Sequence, residues 1–212
     1  MKTEDNKEFW QRMAKSYAPF MKFTGQLYDE ICKRIRPNLT KDMNVLELAC
    51  GSGQLSFRLA GCVRLWEATD FSENMIGEAR KQPRSSRLHF SVQDATALPY
   101  APDSFDAVVI SNALHIMPRP ELALAEIGRV LKPEGTLYAP TFVHGKGAGF
   151  RLRARLLALA GFKVYSKWTA EGFELFISEY NFQVTQAVKL GGSLAPLCYL
   201  EARVKNDKRC MD

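Results

Sequence analysis

Five short apolar runs, Val45 to Ala49, Val63 to Thr69, Leu88 to Val92, Phe105 to Ser111 and Thr136 to Phe142, recur with helix-patterned segments between them. Short apolar runs alternating with helices mark a parallel sheet covered on both faces, because parallel neighbours need a crossover long enough to hold a helix. A chain of 212 residues, 46% hydrophobic and 25% charged, can bury one such sheet around a single core.

The intervening segments carry their own start and stop signals. Ser72 is an expected N-cap for a helix through Arg80 with Met75, Ile76 and Ala79 on one face. Pro120, favoured at a first helical position, opens a helix with Leu124, Ile127, Gly128 and Leu131 along a face, and Lys132-Pro133-Glu134-Gly135 is expected to turn the chain into the next strand. Thr169 caps a further helix with Phe173, Phe176, Ile177 and Tyr180 at helical spacing. Two last strands, Phe182 to Leu190 and Leu197 to Val204, are linked through Gly191-Gly192-Ser193, which is short enough to require an antiparallel hairpin.

These signals divide one domain, residues 1–212, into four parts. Residues 1–41 form an N-terminal helical cover over the sheet's edge or mouth, with Phe9, Trp10, Met13, Tyr17, Leu27, Ile31 and Ile35 as buried candidates. Residues 42–143 are the core sheet, 144–168 an insertion on the substrate side, and 169–204 the closing helix and hairpin; residues 205–212 are polar and expected to fray.

The first run ends in LELACGSGQL, residues 46–55. In an open parallel sheet, ligands bind beyond the carboxyl ends of the strands, so this turn is where one belongs. Gly51 and Gly53 can take positive φ and, lacking a Cβ, let a ligand press on the main chain, while amides at the start of the next helix can meet an anion. The third glycine of a GxGxxG dinucleotide fingerprint is replaced by Ser56, and Glu47 would repel a pyrophosphate but suit an ammonium group. Asp70 and Asp94 close the second and third strands at nearly equal intervals, so three carboxylates should line one rim. An acid after the second strand can take both hydroxyls of a ribose; one after the third can accept from an adenine amino group.

Other classes recede on composition. No apolar run approaches the roughly 20 residues of a membrane span, and MKTEDNKEFW is too polar for a signal peptide. Five cysteines without a CxxC pair suit free thiols in a reducing compartment, so a cytoplasmic location is expected and a metal site is not. The net charge of +6 permits an acidic partner without establishing one.

Four stretches in order, VLELACGSGQLS, ATDFSENMIGEAR, SVQDATALPYAPDSFDAVVISNALHIM and RVLKPEGTLYAP, resemble the successive motifs of class I S-adenosylmethionine-dependent methyltransferases, in the group acting on small molecules, quinones or sterols. The resemblance is close over about residues 43–142. It implies a Rossmann-like α/β three-layer sandwich whose seven-stranded, mostly parallel sheet has its last strand antiparallel. It also implies that S-adenosylmethionine is bound and S-adenosylhomocysteine released. Carried over residue by residue, Glu47, Ala49, Gly51 and Gly53 would cradle the methionine part, Asp70 the ribose, Phe71 and Met75 the adenine face, Asp94 and Ala95 the adenine edge, and Asn112 would lie near the transferring methyl. Ala49 stands where the family commonly has glycine, which should narrow the loop's allowed conformations, and KPEG stands where it has KPGG.

Methyl transfer from a sulfonium needs positioning and water exclusion more than covalent help, although a hydroxyl or amine acceptor would gain from a base. His115 is the best-placed base by sequence and His144 a second; either reading competes with a histidine that only caps a strand-end loop. Tyr17 resembles a residue that closes over the cofactor, or is core packing of the N-terminal helix. In the insertion, Lys146, Arg151, Arg153, Arg155, Lys163 and Lys167 accompany Phe150, Leu152, Leu156, Leu159 and Phe162; a solvated surface helix is favoured over a basic lid meeting a membrane or anionic substrate. The expected partner is a small-molecule methyl acceptor. After the fourth strand, Ser111-Asn112-Ala113-Leu114 lacks an NPPY-like tetrapeptide, which argues against amino methylation of DNA bases. An RNA methyltransferase and a non-catalytic S-adenosylmethionine-binding protein remain the alternatives, an NAD-dependent oxidoreductase is the weakest, and both monomer and homodimer stay open.

Overall fold

The computed structural model describes residues 9–14, 25–144, 163–192 and 196–205. In chain order, a helical stretch at 9–14 precedes α1 (Gly25–Ile35), β1 (Asn44–Leu48), α2 (Ser56–Leu59), β2 (Leu65–Asp70), α3 (Glu73–Arg80), β3 (Leu88–Val92), β4 (Phe105–Ile110), α4 (Pro120–Val130), β5 (Leu131–Tyr138), β6 (Thr141–Phe142), α5 (Ala170–Glu179), β7 (Phe182–Leu190) and β8 (Leu197–Val204).

One sheet runs through the protein, with β3, β2, β1, β4 and β5 side by side and all parallel. β8 adds antiparallel to β5 and to β6, and β7 pairs antiparallel with β8 on its other side. β5 and β6 share one edge of β8, pairing end to end along it, so the eight strands occupy seven positions and β8 alone opposes the rest. The fifth apolar run is therefore one line interrupted at Ala139-Pro140.

Alternation along the strands separates two apolar faces, which is why the runs read as continuous. Val45, Ala68, Ala107, Val109 and Tyr199 pack on one side with Ile31 and Ile35 of α1, Leu59 of α2 and Ile76 and Ala79 of α3. Leu46, Leu48, Val108, Ile110 and Leu200 pack on the other with Leu124 and Ile127 of α4 and Phe173 and Ile177 of α5. Each fully buried Ile or Leu contributes about 1.5 to 3 kcal/mol, and Ile31 and Ile35 are the anchors that hold α1 to the first face.

The expected caps are present: the Ser72 hydroxyl accepts from Met75 N and the Thr169 hydroxyl from Gly172 N. α4 starts at Pro120 but ends at Val130, so Leu131 belongs to β5 and not to the helix face. The Lys132–Gly135 segment is not a turn before the strand but an irregularity inside it, since Phe105 pairs with Leu131 and Ala107 with Thr136. A Cβ on Gly135 would lie 2.8 Å from Leu131 Cδ2 and 2.9 Å from the Lys132 carbonyl oxygen. Tyr180 ends α5 40% exposed, leaving the buried stripe while its ring stays 5.0 Å from Phe176. Among the described residues, no helix is long and apolar enough to cross a membrane.

This strand order reverses direction between β1 and β4: β2 and β3 build outward from one side of β1, β4 and β5 from the other. Crossovers leave a crevice at that point, beyond the carboxyl ends of the strands.

Candidate functional site

A cavity of about 350 Å³ opens there. Its walls come from the strand ends: Ala49 and Gly51 after β1, Asp70 closing β2, Asp94 to Thr96 after β3, and Ser111 to Ala113 after β4. Phe71, Ser72 and Met75 of the β2–α3 connection form one side, Ile116 to Arg119 another, and Trp10 covers it from the N-terminal stretch. Gln11 is tied to the same rim, its carbonyl accepting from Asn74 Nδ2 at 3.0 Å. Residues 9–14 thus lie over the sheet's mouth.

The turn after β1 is wound left-handed three times, with φ of +53° at Ala49, +56° at Gly51 and +86° at Gly53. The glycines adopt this freely, whereas Ala49 does so against its Cβ, at about 1 to 2 kcal/mol. Asn112, across the cavity, is left-handed too, with φ of +54°. Asparagine tolerates that region, and its side chain is used: Oδ1 accepts from Phe142 N at 3.2 Å while its own N donates to Pro140 O at 2.8 Å. Asn112 thereby ties the end of β4 to the β5–β6 line.

Asp70 is the central polar group. Oδ2 accepts from Gly51 N and Oδ1 from Ser72 N, both at 2.8 Å, so one carboxylate fixes both the glycine turn and the approach to α3. Burial raises its pKa, opposed by the N–H groups of Ser72 and Gly51. A carboxylate has about four acceptor positions and two are taken, which leaves capacity for a pair of ligand hydroxyls. Asp94 stands two residues beyond β3, exposed, with Oδ1 accepting from Thr96 N at 2.8 Å and Thr96 Oγ1 at 2.7 Å. Phe71 presents a ring 42% exposed at the rim.

Eight residues singled out by sequence are brought together on this wall: Ala49, Gly51, Asp70, Phe71, Met75, Asp94, Ala95 and Asn112. Glu47 and Gly53 are not. Glu47 points into the sheet face beneath α1 to α3, 2% exposed, where Oε2 accepts from Ser56 Oγ at 2.5 Å and Trp66 Nε1 at 2.8 Å. Burial there, with Asp70 nearby, lifts its pKa to about 7. This corrects the expectation that it faces an ammonium group. Gly53 lies behind the wall, where a Cβ would be 2.6 Å from Phe57 Cε2 and 3.3 Å from Phe90 Cζ. Its lack of a side chain makes room for those two rings. The helix after the turn is the single turn Ser56–Leu59, and the amides of Phe57, Arg58 and Leu59 already donate to the carbonyls of Gly53 and Leu55, so these three are not left to meet an anion as expected.

His115 does not line the cavity. It is 7% exposed, its ring edge-on to Phe142 at 6.5 Å, and Nδ1 has no hydrogen-bond partner among the described residues. Burial, and secondarily His144, push its pKa down to about 4, so the imidazole is neutral at physiological pH. Its carbonyl accepts from Tyr165 N and Ser166 N, anchoring the chain returning from the insertion. His144 is exposed, with its N donating to Trp168 O at 2.7 Å. Tyr17 and residues 145–162 of the insertion, with their basic and apolar side chains, lie outside the described residues; Lys163 and Lys167 are exposed. No group of three or more His, Cys, Asp or Glu able to hold a metal occurs among the described residues.

Sequence reasoning missed Gln93 and Thr96, which follow the end of β3 and were findable by position, and Met117 and Arg119, which lie just before α4 and carry no strand-end signal. Trp10, a packing candidate by sequence, stands on the wall because its segment docks there.

Comparison with known proteins agrees with this geometry. A family model described as a methyltransferase domain matches residues 45–135. The ubiquinone/menaquinone biosynthesis C-methyltransferase of Rickettsia akari is 30% identical over 176 residues, covering 74% of this chain and 70% of that one. The demethylmenaquinone methyltransferase of a Leptospira interrogans strain is 35% identical over 141 residues, covering 61% of this chain. The chain spans 57% of that relative's length, a little over half. Among solved structures, DhpI in complex with SAH aligns over 96% of this chain and 97% of its own at TM-score 0.75 and 18% identity. The [4+2]-cyclase SpnF aligns over 85% of this chain and 80% of its own at TM-score 0.69 and 21% identity. These two show the fold, and a cyclase among them shows that the fold alone does not select a reaction. Identity to the Rickettsia protein across most of both chains, with the first three of the four motifs contributing to one cavity wall, decides the family: the chain belongs to the class I S-adenosylmethionine-dependent methyltransferases, related to the quinone methyltransferases.

Proposed function

We propose that this protein transfers a methyl group from S-adenosylmethionine to a small-molecule acceptor of the quinone-related class. The observation that carries the reading is Asp70, a cavity-wall carboxylate whose two oxygens are each held by one backbone N–H, beside a left-handed turn that brings main chain to the same wall.

The residues fit the cofactor. Asp70 retains acceptor capacity for a ribose diol, Ala49 and Gly51 offer main chain to the amino-acid end, and Phe71 and Met75 offer apolar surface to a base with Asp94 at its edge. When bound, S-adenosylmethionine supplies a methyl group on a positively charged sulfonium, and S-adenosylhomocysteine is left. What the chain does is hold the reactants and exclude water: Trp10, Ile116 and Met117 supply apolar wall, and alignment of reacting groups can contribute about 7 to 11 kcal/mol. A side-chain base on the wall is not required by this reading, and His115 stands behind it as a neutral, buried group. The acceptor class rests on the relatives' activities. A reducing, cytoplasmic setting is proposed with it, supported by the free Cys32, Cys50, Cys62 and Cys198.

Calorimetry with S-adenosylhomocysteine and NAD, followed by a methyl-transfer screen of naphthoquinols, benzoquinols and a metabolite extract with mass detection of products, tests the proposal. Binding of S-adenosylhomocysteine and a quinol heavier by one methyl group are expected. Binding of NAD instead would overturn the cofactor assignment, binding without turnover would favour a regulator, and methylation of RNA alone would overturn the acceptor class.

A further inference from the structure

The two donors that reach Glu47 converge on one atom: Ser56 Oγ and Trp66 Nε1 both donate to Oε2. Glu47 lies in β1 two residues before the left-handed Ala49, Ser56 opens α2 directly after the turn, and Trp66 sits in β2, the strand that ends in Asp70. All three side chains are buried. The carboxyl group therefore ties together the strand that enters the turn, the helix that leaves it, and the neighbouring strand that carries the cavity's central acid. A turn holding an alanine at φ of +53° persists only where its surroundings over-determine it. Hydrogen bonds within and beside the turn, Gly53 N to Cys50 O and Cys50 N to Thr69 O, fix its interior. The Glu47 contacts fix its two ends.

We propose that Glu47 is a positioning residue which, through Ser56 and Trp66, holds the 49–53 turn in its left-handed form and makes no contact with the ligand. The ligand's identity rests on the function proposed above; the clasp itself does not. Because both donors share one oxygen, the clasp needs an acceptor oxygen and not a charge. The burial that raises the carboxyl pKa accords with this.

Glu47→Gln keeps an acceptor oxygen for both donors and removes the charge, whereas Glu47→Leu, or Ser56→Ala with Trp66→Phe, dissolves the clasp. Affinity for S-adenosylhomocysteine and for its desamino analogue would be measured by calorimetry at pH 7.5, well below each variant's melting temperature. Amide hydrogen exchange at Gly51 and Gly53 would be followed without ligand. Glu47→Gln should bind within about threefold of the parent, while the clasp-breaking variants should lose about tenfold, equally for both ligands. Exchange at the two glycines should quicken in the clasp-breaking variants and not in Glu47→Gln. Adding Ser56→Ala to Glu47→Leu should lose little more, because the two act on one interaction.

Glu47→Gln losing as much as Glu47→Leu, together with the parent's preference for the ammonium-bearing ligand, would return Glu47 to the ligand and overturn the proposal. So would unchanged exchange and affinity in the clasp-breaking variants. If Glu47→Leu does not fold, the Ser56 and Trp66 variants decide alone. If the parent binds no S-adenosylhomocysteine, the cofactor reading fails while the exchange measurement still decides the clasp.

Discussion

Replacing Gly53 by alanine isolates a role that the glycine turn conceals. The residue stands at φ of +86°, and a Cβ there would meet Phe57 Cε2 at 2.6 Å, Phe57 Cδ2 at 2.9 Å and Phe90 Cζ at 3.3 Å. Left-handed backbone on an L-residue costs about 1 to 2 kcal/mol. The smaller entropy of an unfolded chain with alanine in place of glycine returns about 0.4 to 1 kcal/mol. Forcing the Phe57 ring away from its tilted contact with Phe90, at 5.6 Å between centroids, adds about 1 to 3 kcal/mol of overpacking. Together these destabilise the fold by about 1 to 4.5 kcal/mol, and the midpoint of about 3 kcal/mol corresponds to a melting temperature lower by about 6 to 12 °C at this chain length. Urea unfolding should show the midpoint moving down with the m-value unchanged. Gly77 in α3 is the control, because a Cβ there meets nothing within 4 Å; alanine at that position should stabilise by about 0.5 to 1 kcal/mol. A Gly53→Ala variant within about 0.5 kcal/mol of the parent, given that scale of overpacking, would refute the packing account and return Gly53 to ligand approach.

Asp70→Ala should weaken S-adenosylhomocysteine binding by about 1 to 3 kcal/mol in calorimetry, since it removes a charged acceptor and frees the N–H groups of Gly51 and Ser72; unchanged affinity would remove Asp70 from the site. Glu47 titrates near 7 in the fold against about 4.5 unfolded, so between those values the native state holds a proton the unfolded chain has released, and stability falls as pH rises through that window. Relative to Glu47→Gln, the parent should lose up to about 3 kcal/mol between pH 4.5 and 7.5, and parallel denaturation profiles would show that Glu47 is not buried in this way. His115 has the opposite sign: held near 4 in the fold against 6.5 unfolded, it makes the unfolded state the better proton acceptor as pH drops. A His115→Gln variant should therefore lose less stability than the parent between pH 6.5 and 4, and the same slope in both would place the imidazole in solvent.

What the sequence determined by itself is local and periodic. The runs of β1, β4 and β5 are buried on both faces because alternate residues of each strand meet different helices, and continuous hydrophobicity records that directly, whereas β2 and the edge strand β3 supply core residues to one face only. Ser72, Pro120 and Thr169 announced their helices because caps and first-turn prolines act over three or four residues. Asp70, Asp94 and Asn112 were legible because a parallel sheet puts every strand's carboxyl end on one rim. Only the tertiary structure decided what lies across such distances. Whether Glu47 faces the cavity or the sheet's interior depends on Ser56 and on Trp66 of a neighbouring strand, and no spacing rule for a single turn contains that information. Gly51 and Gly53 look equivalent in sequence, yet one meets the cavity and the other two aromatic rings from α2 and β3. Ala49 kept its left-handed turn against its own Cβ, and His115 was withdrawn from the wall by packing against Phe142. Local pattern selects elements, while the direction in which a side chain points at a strand end is set by what the rest of the chain brings beside it.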